Sequence, residues 1–559
     1  MRRDLLGLLL VVLVLFAGLA AIGVVLGPAT STETRYAEMG REMLVSGDWI
    51  VPKLNGAPLL EKPPFEYWVN AASFAVFGVN DLAARIPSLV AGLLTLLVVA
   101  AGTRRFAPAS DDAGARRTRG LIAAFALATM PAFLIQAYTI SIDIWLVLVT
   151  TVAGLCVLES VRTNGRPGLR WVLLLHGAMG VGMLVKGPLT LALVGIAAVI
   201  LAVVRWNARP LRPFGHPAGV LLFFALALPW YLAADARIEN LLRDLVSRRL
   251  FGGIKSSLDF HPHAVWIVWL PFLGTFPWLA TLPGAVGRLF ARGGWRAGPA
   301  LGMLLLALSA PALFSISKSR LVSYSSPAFP WLAMLVALGW PLGSSTPEEA
   351  SRARGHLARA TLGTAAVALG LTAYLFARAR PSTLPAVLAA LGAALAVGTA
   401  LLPHPRALFA RPLPRIGGVA VGLLATIAAI TIAEPFRVPA ARPLWDAVAR
   451  VRKPGEALGV VLNYEGDWGL FPWNAKELVT YFDYPTTAMV VLPRQFDTEH
   501  FRTASELRPW FDAPERRFLL MRKRDAKRAD YLADATTYTV AEGGLYIVVT
   551  NHPLAPAGS

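Results

Sequence analysis

The chain has 559 residues, of which 55% are hydrophobic and only 16% are charged, and its net charge is +19. Soluble domains carry about 25% charged residues, so this composition excludes an ordinary soluble protein and favours a membrane protein. The positive charge does not indicate a nucleic-acid partner, because the arginines lie mostly in short loops between apolar runs and no nucleic-acid motif accompanies them. The single cysteine, Cys156, excludes an intramolecular disulfide.

The first apolar run, residues 5–26, follows Arg2 and Arg3. It is longer than the apolar core of about 7–15 residues in cleaved signal peptides, and it reaches the roughly 20 residues that span a bilayer. A retained first helix is therefore favoured over a cleaved leader. The apolar runs predict membrane spans at 5–27, 82–102, 120–138, 143–160, 171–185, 187–204, 217–235, 264–288, 299–316, 325–342, 357–377, 384–402 and 416–433.

The arginines test the order of these spans, because cytoplasmic loops are enriched in lysine and arginine. With Arg2 and Arg3 inside, every second loop is rich in arginine. Two outside loops are exceptions, a short one with Arg378 and Arg380 and a long one with Arg237, Arg243, Arg248 and Arg249. The long loop is the weaker exception, because long loops follow the rule less strictly. About thirteen crossings predict a multi-pass membrane protein with a cytoplasmic N-terminus and an extracytoplasmic C-terminus.

The composition changes after about residue 437, where charged and aromatic residues appear together and the apolar runs shorten to strand length. Alternating strands and helices indicate a small α/β domain outside the membrane. The predicted strands are 458–462, 488–492, 517–521 and 545–549, and the predicted helices are 442–451 and 498–511. The predicted fold is thus a polytopic α-helical membrane protein, with a transmembrane catalytic domain at 1–436 and a C-terminal α/β soluble domain at 437–559.

The first outside loop, about residues 28–81, is too long for a simple connection, and loops of this length are often functional. Residues 36–44 have helical spacing and are predicted to lie on the membrane surface. A solvated amphipathic segment is the alternative interpretation for most single charges in this loop. Its charged residues of interest are Glu33, Arg35, Glu61 and Lys62.

Other polar residues fall on the same predicted face. A charge at membrane depth is costly and normally faces a cavity or a partner, although a lysine at a helix end can also extend to water. Cations on this face would hold a phosphate, and carboxylates or histidines would serve as a general base or as metal ligands. These residues are Asp143, Lys186, His261, His263, Lys318 and Arg320. Because the outside compartment has no nucleotide-sugar pool, a transferase there would need a lipid-linked donor.

Several motifs match a known family. The segment 32–38, the segment Gly47–Pro52, the Glu61-Lys62-Pro63-Pro64 motif and Tyr67-Trp68 resemble the first loop of bacterial aminoarabinose lipid A transferases. Lys186-Gly187-Pro188 and the segment 314–320 with Tyr324 also resemble this family. These enzymes are GT-C glycosyltransferases, as are the protein O-mannosyltransferases, and they have thirteen membrane helices and a periplasmic α/β domain.

The resemblance implies an enzyme of the inner membrane that moves a hexose or pentose from a polyprenyl-phosphate donor to an acceptor, with inversion. The acceptor would be a lipid A-like lipid, a glycan or a protein. The resemblance assigns donor-phosphate binding to Arg35, Tyr36, Lys62, Lys186, Lys318, Arg320 and Tyr324. It also implies a divalent metal (zinc, magnesium or manganese) held by Glu61 with His261, or with His263 in the other alignment.

One position departs from the family pattern. Thr32 stands where the family has its catalytic aspartate, and a threonine cannot act as that base. Glu33 is the favoured replacement, with Asp143 as the other candidate and loss of activity as the third outcome. The rival interpretations are therefore a non-catalytic protein that binds lipid-linked sugars and a transport protein for them.

Overall fold

The computed structural model describes residues 17, 31–60, 62–238, 241–244, 265–275, 278–293, 299–317, 320–340, 441–461, 470–483, 500–527, 531–532, 534–543 and 546–554. The chain divides into two compact units. The helical unit comprises Met1–Val25 and Arg85–Ala433, and the α/β unit comprises Leu26–Ala84 and Glu434–Ser559. The first outside loop therefore belongs to the same unit as the C-terminal residues, a grouping that no sequence pattern indicated.

Helices dominate the first part of the described chain, and strands are concentrated near its C-terminal end. The helices are α1 (Ser31–Ser46), α2 (Phe65–Phe77), α3 (Asp81–Arg105), α4 (Ala113–Ala128), α5 (Pro131–Tyr138), α6 (Ile142–Arg162), α7 (Leu169–Lys186), α8 (Leu189–Val204), α9 (Pro217–Asp235), α10 (Leu241–Asp244), α11 (Leu282–Gly293), α12 (Pro299–Ile316), α13 (Phe329–Leu338), α14 (Ala441–Val451), α15 (Leu470–Ala475) and α16 (Ala504–Phe511). The strands are β1 (Lys53–Leu54), β2 (Ala57–Pro58), β3 (Ala457–Val461), β4 (Thr480–Phe482), β5 (Phe501–Arg502), β6 (Arg517–Arg522), β7 (Tyr538–Gly543) and β8 (Tyr546–Thr550).

The helical unit contains several helices that are long and apolar enough to cross a membrane. Within the described residues there are five, namely α3, α6, α7, α9 and α12, or six if α4 and α5 form one broken span. The predicted span 120–138 bends by 71° between α4 and α5, where Pro131 removes a backbone donor. The predicted spans 5–27, 357–377, 384–402 and 416–433 lie outside the described residues, apart from Ala17.

The prediction of one continuous helix at 264–288 is wrong. The structure has three short 3-10 helices at Val265–Val268, Leu270–Thr275 and Trp278–Thr281, and α11 begins only at Leu282. Pro271 and Pro283 account for part of the difference, because proline cannot donate the backbone hydrogen bond that would continue an α-helix. Apolar composition alone does not detect such breaks.

Arg119 ties α4 to the end of α13. Its side chain is 2% exposed, it pairs with Asp111, and its Nη1 donates to the carbonyls of Ala337, Leu338 and Trp340 at 2.7–2.9 Å. The last carbonyls of a helix have no partner within the helix, so this guanidinium satisfies the C-terminus of α13.

The α/β unit contains a six-stranded sheet with the order β5-β4-β3-β6-β8-β7. The pairs β4–β5, β3–β4 and β3–β6 are parallel, whereas β6–β8 and β7–β8 are antiparallel. The predicted strands at 458, 517 and 545 correspond to β3, β6 and β8, and the predicted helix 442–451 corresponds to α14. The predicted strand 488–492 lies outside the described residues.

The predicted helix 498–511 begins later than expected. Phe501–Arg502 forms β5, and Thr503 then caps α16 through a reciprocal capping box with Glu506. Apolar residues occur both in the strand, at Phe501, and in the helix, at Trp510. The hydropathy pattern therefore does not mark the boundary between β5 and α16. The short strands β4 and β7 were also missed.

Two helices and a hairpin form the first-loop part of the α/β unit. Helices α1 and α2 pack closely at Gly40, where an added Cβ would lie 2.7 Å from the Cβ of Asn70. The hairpin β1–β2 turns at Asn55 and Gly56, whose φ angles are 54° and 80°. Asn-Gly is the preferred pair for a two-residue turn that needs positive φ at both positions.

Candidate active site

Those predicted site residues that the structure describes fall into two groups, one in each unit. In the α/β unit, the first turns of α1 present Glu33, Arg35 and Tyr36. Glu33 is 2% exposed and Tyr36 is 4% exposed, whereas Thr32 lies at the surface. The carboxylate of Glu33 lies at the N-terminal end of α1, where the helix dipole favours a negative charge. The role of Glu33 as the base in place of the residue at position 32 stays a prediction.

Aromatic and amide groups hold the donor-binding candidates of α1 in place. The guanidinium carbon of Arg35 lies 5.6 Å from the ring centroid of Tyr36, and that ring lies 5.9 Å from the ring of Tyr67 on α2. Asn70 donates to the carbonyl of Tyr36 at 3.5 Å and to Glu66 Oε1 at 3.3 Å. The predicted cation Arg35, which is partly exposed, and the buried aromatic Tyr36 thus belong to one cluster with α2.

Lys62 lies just before α2 and is half-buried. A second lysine in the same loop, Lys53, is paired with Asp48 at 3.5 Å in a partly exposed ion pair. The two lysines are both partly exposed, and Lys53 lies on β1 whereas Lys62 lies between β2 and α2. Lys53 provides a matched control for any role of Lys62.

In the helical unit, the structure brings Lys186 and Asp143 together. Lys186 is the last residue of α7 and Asp143 lies in the first turn of α6, and the two packed helices place the ammonium group against the carboxylate. The side chains are only 11% and 9% exposed. Each charge also lies at the helix end whose dipole favours it. The predicted phosphate-binding lysine is therefore held by the predicted acidic residue.

Tyr324 and Arg320 lie in the same part of the helical unit. The Nζ atom of Lys186 lies 4.5 Å from the ring centroid of Tyr324, within the range of a cation–π contact. Tyr324 packs on Phe314 at 4.4 Å between ring centroids, and Arg320 Nη2 donates to the carbonyl of Ser315 at 3.3 Å. Residues predicted from distant motifs thus form one cationic and aromatic cluster, which we call the Lys186 cluster (Asp143, Lys186 and Tyr324).

Sequence reasoning missed Arg85. This side chain is completely buried, it donates from Nη1 to the carbonyl of Tyr138 at 2.8 Å, and its guanidinium carbon lies 4.1 Å from the Tyr138 ring. Tyr138 ends α5, only five residues before Asp143. Arg85 therefore fixes the chain that leads into the Lys186 cluster. An arginine within an apolar run is the signal that could have found it.

Three predicted metal ligands, Glu61, His261 and His263, and the predicted phosphate ligand Lys318 lie outside the described residues. Among the residues that are described, no group of three or more histidine, cysteine, aspartate or glutamate side chains is arranged to hold a metal ion. The metal therefore stays a prediction from the sequence. The residue types are suitable for it, because carboxylate and imidazole groups bind divalent metals.

Glu42 on α1 is an ionisable group that the sequence did not single out. Its carboxylate accepts the backbone N–H groups of Asn55 at 2.5 Å and Gly56 at 2.9 Å, and so ties α1 to the hairpin turn. Burial raises the pKa of Glu42 to about 8, and the neighbouring carboxylate of Glu38 also raises it. Glu38 itself accepts two hydrogen bonds from Arg41, at 2.8 and 2.6 Å.

Known proteins share this fold and parts of this sequence. Residues 5–240 match the family model described as dolichyl-phosphate-mannose-protein mannosyltransferase (PMT). ArnT from Cupriavidus metallidurans has the same fold in its apo state, with a TM-score of 0.79 at 21% identity over 99% of this chain and 98% of ArnT. The predicted family resemblance is confirmed.

Further similarity to ArnT-type proteins is found in sequence and structure. The undecaprenyl phosphate-alpha-4-amino-4-deoxy-L-arabinose arabinosyl transferase of Pectobacterium carotovorum subsp. carotovorum is 34% identical over 321 residues, which cover 55% of this chain and 54% of that protein. The protein of the same description from Edwardsiella ictaluri is 33% identical over 313 residues, with the same coverage. The chain thus spans about half the length of these relatives in the alignments. ArnT from C. metallidurans bound to undecaprenyl phosphate gives a TM-score of 0.81 at 20% identity, with 97% of this chain and 98% of ArnT covered.

Proposed function

We propose that this protein is an inverting glycosyltransferase of the inner membrane that uses a polyprenyl-phosphate sugar as donor. The observation that carries the proposal is the buried Lys186 cluster, which places a cation held by a carboxylate and an aromatic ring at one end of the apolar helices. The similarity to ArnT-type transferases, one of which was solved with undecaprenyl phosphate, supports a lipid phosphate as the group that is bound. The acceptor would be a lipid A-like lipid, a glycan or a protein.

The fold in this proposal has about thirteen membrane helices within residues 1–436, with the α/β domain of residues 437–559 outside the membrane. The five long apolar helices within the described residues and the fold shared with ArnT support this arrangement. The loop arginines support a cytoplasmic N-terminus.

The reaction follows from the chemistry of the donor. The bond between the anomeric carbon and the phosphate oxygen breaks, and the electron pair leaves with the polyprenyl phosphate. A hydroxyl or other nucleophile of the acceptor attacks the anomeric carbon from the opposite face, which inverts its configuration. Cations that stabilise the departing phosphate lower the barrier by electrostatic stabilisation. We assign this role to Lys62 and Arg35 in the α/β unit and to Lys186, Lys318 and Arg320 in the helical unit, with Tyr36 and Tyr324 beside them.

We assign the general base to Glu33, which would take the proton of the acceptor. Asp143 is the other candidate, and its carboxylate is paired with Lys186. Glu33 is nearly fully buried at the start of α1, next to Thr32. The proposed metal ligands are Glu61 and His261, with His263 as the alternative. A divalent metal there would supply Lewis acidity toward a phosphate oxygen.

One observation favours a second candidate function. Thr32 occupies the position at which the family motif has an acid, and its side chain lies at the surface. The second candidate is a protein that binds or transports lipid-linked sugars and does not transfer the sugar. Such a protein would need the phosphate-binding cations but no base at this position.

The experiment is a turnover assay of the full chain in liposomes, with a panel of undecaprenyl-phosphate pentoses, hexoses and amino sugars and with or without divalent metal. Release or transfer of any sugar supports the transferase. The Lys62→Ala variant should lose most of this turnover. Lys53→Ala should keep it, because Lys53 is in the same loop but is not one of the residues to which a phosphate role is assigned. Tight binding of donors without turnover would contradict the transferase and support the non-catalytic protein.

A further inference from the structure

The turn of the first-loop hairpin is joined to the C-terminal part of the chain by a two-point contact. Asn55 Nδ2 donates to the carbonyl of Val479 at 2.7 Å, and its Oδ1 accepts the N–H of the same residue at 2.8 Å. Asn55 is fully buried, and its backbone has a positive φ of 54°. One side chain therefore satisfies both backbone groups of a residue 424 positions away, just before β4.

A second contact joins the same C-terminal segment to α2 and the start of α3. The buried indole of Trp473 lies 5.6 Å from the ring of Phe74 and donates from Nε1 to Asp81 Oδ1 at 3.1 Å. Lys476 covers the same indole, with Nζ 3.0 Å from the ring centroid. Helix α15, which contains Trp473, also packs against α1. Residues 473–479, which we call the brace segment, thus contact the hairpin turn and both helices of the first loop.

Within the first loop, the contacts continue to the candidate donor-binding residues. Glu42 joins the Asn55–Gly56 turn to α1, and the Asn70 side chain joins α2 to Tyr36 near the start of α1. Glu33, Arg35 and Tyr36 lie on α1, and Lys62 lies between the hairpin and α2. Displacement of the hairpin turn would therefore be transmitted to these residues through direct contacts.

We propose that the brace segment positions the donor-phosphate residues of the first loop, and that Asn55 and Trp473 are positioning residues for sugar transfer. This inference rests on the proposed function. The physical reason is that the attraction between a cation and the donor phosphate depends on the distance between them, so displaced cations bind the donor more weakly. An interaction that binds the donor and the transition state equally raises KM when it is lost and leaves kcat nearly unchanged. The C-terminal domain then contributes to donor binding through the first loop.

The test compares variants of the full chain in liposomes by donor KM, kcat and hydrogen exchange of residues 31–77. Asn55→Gly removes the two-point contact but keeps the positive φ, which glycine adopts without strain. Trp473→Phe keeps a ring beside Phe74 and removes the hydrogen bond to Asp81, so it provides a milder second variant. Thr503→Ala is the matched control, because it removes the capping box of α16 in the same domain.

We expect Asn55→Gly to accelerate exchange in α1 and the hairpin and to raise the donor KM by roughly tenfold, with a change of less than about twofold in kcat. Trp473→Phe should shift the donor KM in the same direction by less, and Thr503→Ala should leave it unchanged. Unchanged exchange in Asn55→Gly would overturn the brace. Faster exchange with an unchanged donor KM would overturn the positioning role while leaving the proposed function intact. Absence of turnover in the wild type with every donor would overturn the proposed function itself, and the exchange data would still decide whether the brace exists.

Discussion

Asp143 and Lys186 form a buried ion pair between the N-terminus of α6 and the C-terminus of α7. The two residues are far apart in the chain, and the sequence predicts a place in the site for both. The pair has a structural and a proposed functional role, because the carboxylate orients a cation at the end of apolar helices.

The pair should be strongly coupled in stability. Asp143→Asn leaves the ammonium group of Lys186 buried without its counter-ion, and loss of one partner of a buried pair costs about 3–5 kcal/mol. The double variant Asp143→Asn with Lys186→Met should unfold at a higher temperature than Asp143→Asn alone. Thermal unfolding of the four proteins in detergent completes the cycle.

A surface pair provides the control for this cycle. Arg508 and Asp512 are paired on α16 with side chains 40% and 49% exposed, so their coupling should be below about 1 kcal/mol. If the two cycles gave equal coupling energies, burial would not explain the strength of the Asp143–Lys186 pair.

Glu33 should be the base of the proposed reaction. Glu33→Gln keeps the shape of the side chain but cannot accept a proton, so kcat should fall by about 100-fold to 10,000-fold while the affinity for undecaprenyl phosphate is retained. Rates of sugar transfer and binding of the lipid phosphate separate the two effects. If Asp143→Asn reduced kcat by more than Glu33→Gln with the fold intact, the base would be Asp143 instead.

Restoring an acid at position 32 should increase activity. The Thr32 side chain is exposed in the first turn of α1, where an aspartate is compatible with the helix dipole and needs no rearrangement. Thr32→Asp should therefore raise kcat without loss of stability, and it should partly rescue Glu33→Gln. Initial rates of donor turnover decide this, and a lower rate in Thr32→Asp would show that Thr32 is not a weakened catalytic position.

The buried carboxyl of Glu42 should make the stability of the α/β unit depend on pH. Burial raises its pKa to about 8 from the ordinary value of 4.5, so the folded state favours the protonated form. The contribution of the protonated Glu42 carboxyl to the free energy of unfolding is fully present below about pH 4.5, and it is lost as the pH rises from there through about 8. Glu38, Arg41 and Tyr481 are the titratable groups that interact with Glu42.

Glu42→Gln imitates the protonated side chain and isolates this contribution. The unfolding temperature of the variant minus that of the wild type should therefore be larger at pH 9 than at pH 5. The measurement is the difference in unfolding temperature between the two proteins at each pH, which cancels the titration of other groups. A difference that is the same at both pH values would show that Glu42 does not control this dependence.

Arg119 should be among the most sensitive positions of the helical unit. Arg119→Met leaves three carbonyls at the end of α13 without their donor and Asp111 without its partner, which should cost about 3–5 kcal/mol. Arg117→Met, two residues away on the same helix, alters an exposed side chain and should have little effect. Unfolding temperatures of the two variants test the difference, and equal values would refute the capping role.

Much of the fold could be predicted because hydropathy and periodicity are local properties. Apolar runs of sufficient length identified α3, α6, α7, α9 and α12, and alternating short runs identified β3, β6 and β8. The local pattern did not separate β5 from α16, and it predicted one helix where 3-10 turns lie between Val265 and Thr281. In these places, capping groups and prolines determine where a helix begins and which type of helix forms.

The sequence by itself determined which side chains are chemically able to bind a phosphate or take a proton, and it identified Thr32 as a departure from the family motif. Only the tertiary structure decided which of them meet. Asp143 and Lys186 are 43 positions apart, and Asn55 and Val479 are 424 positions apart. Contacts of this kind depend on how helices and strands pack, and packing over such separations leaves no periodic pattern in the chain.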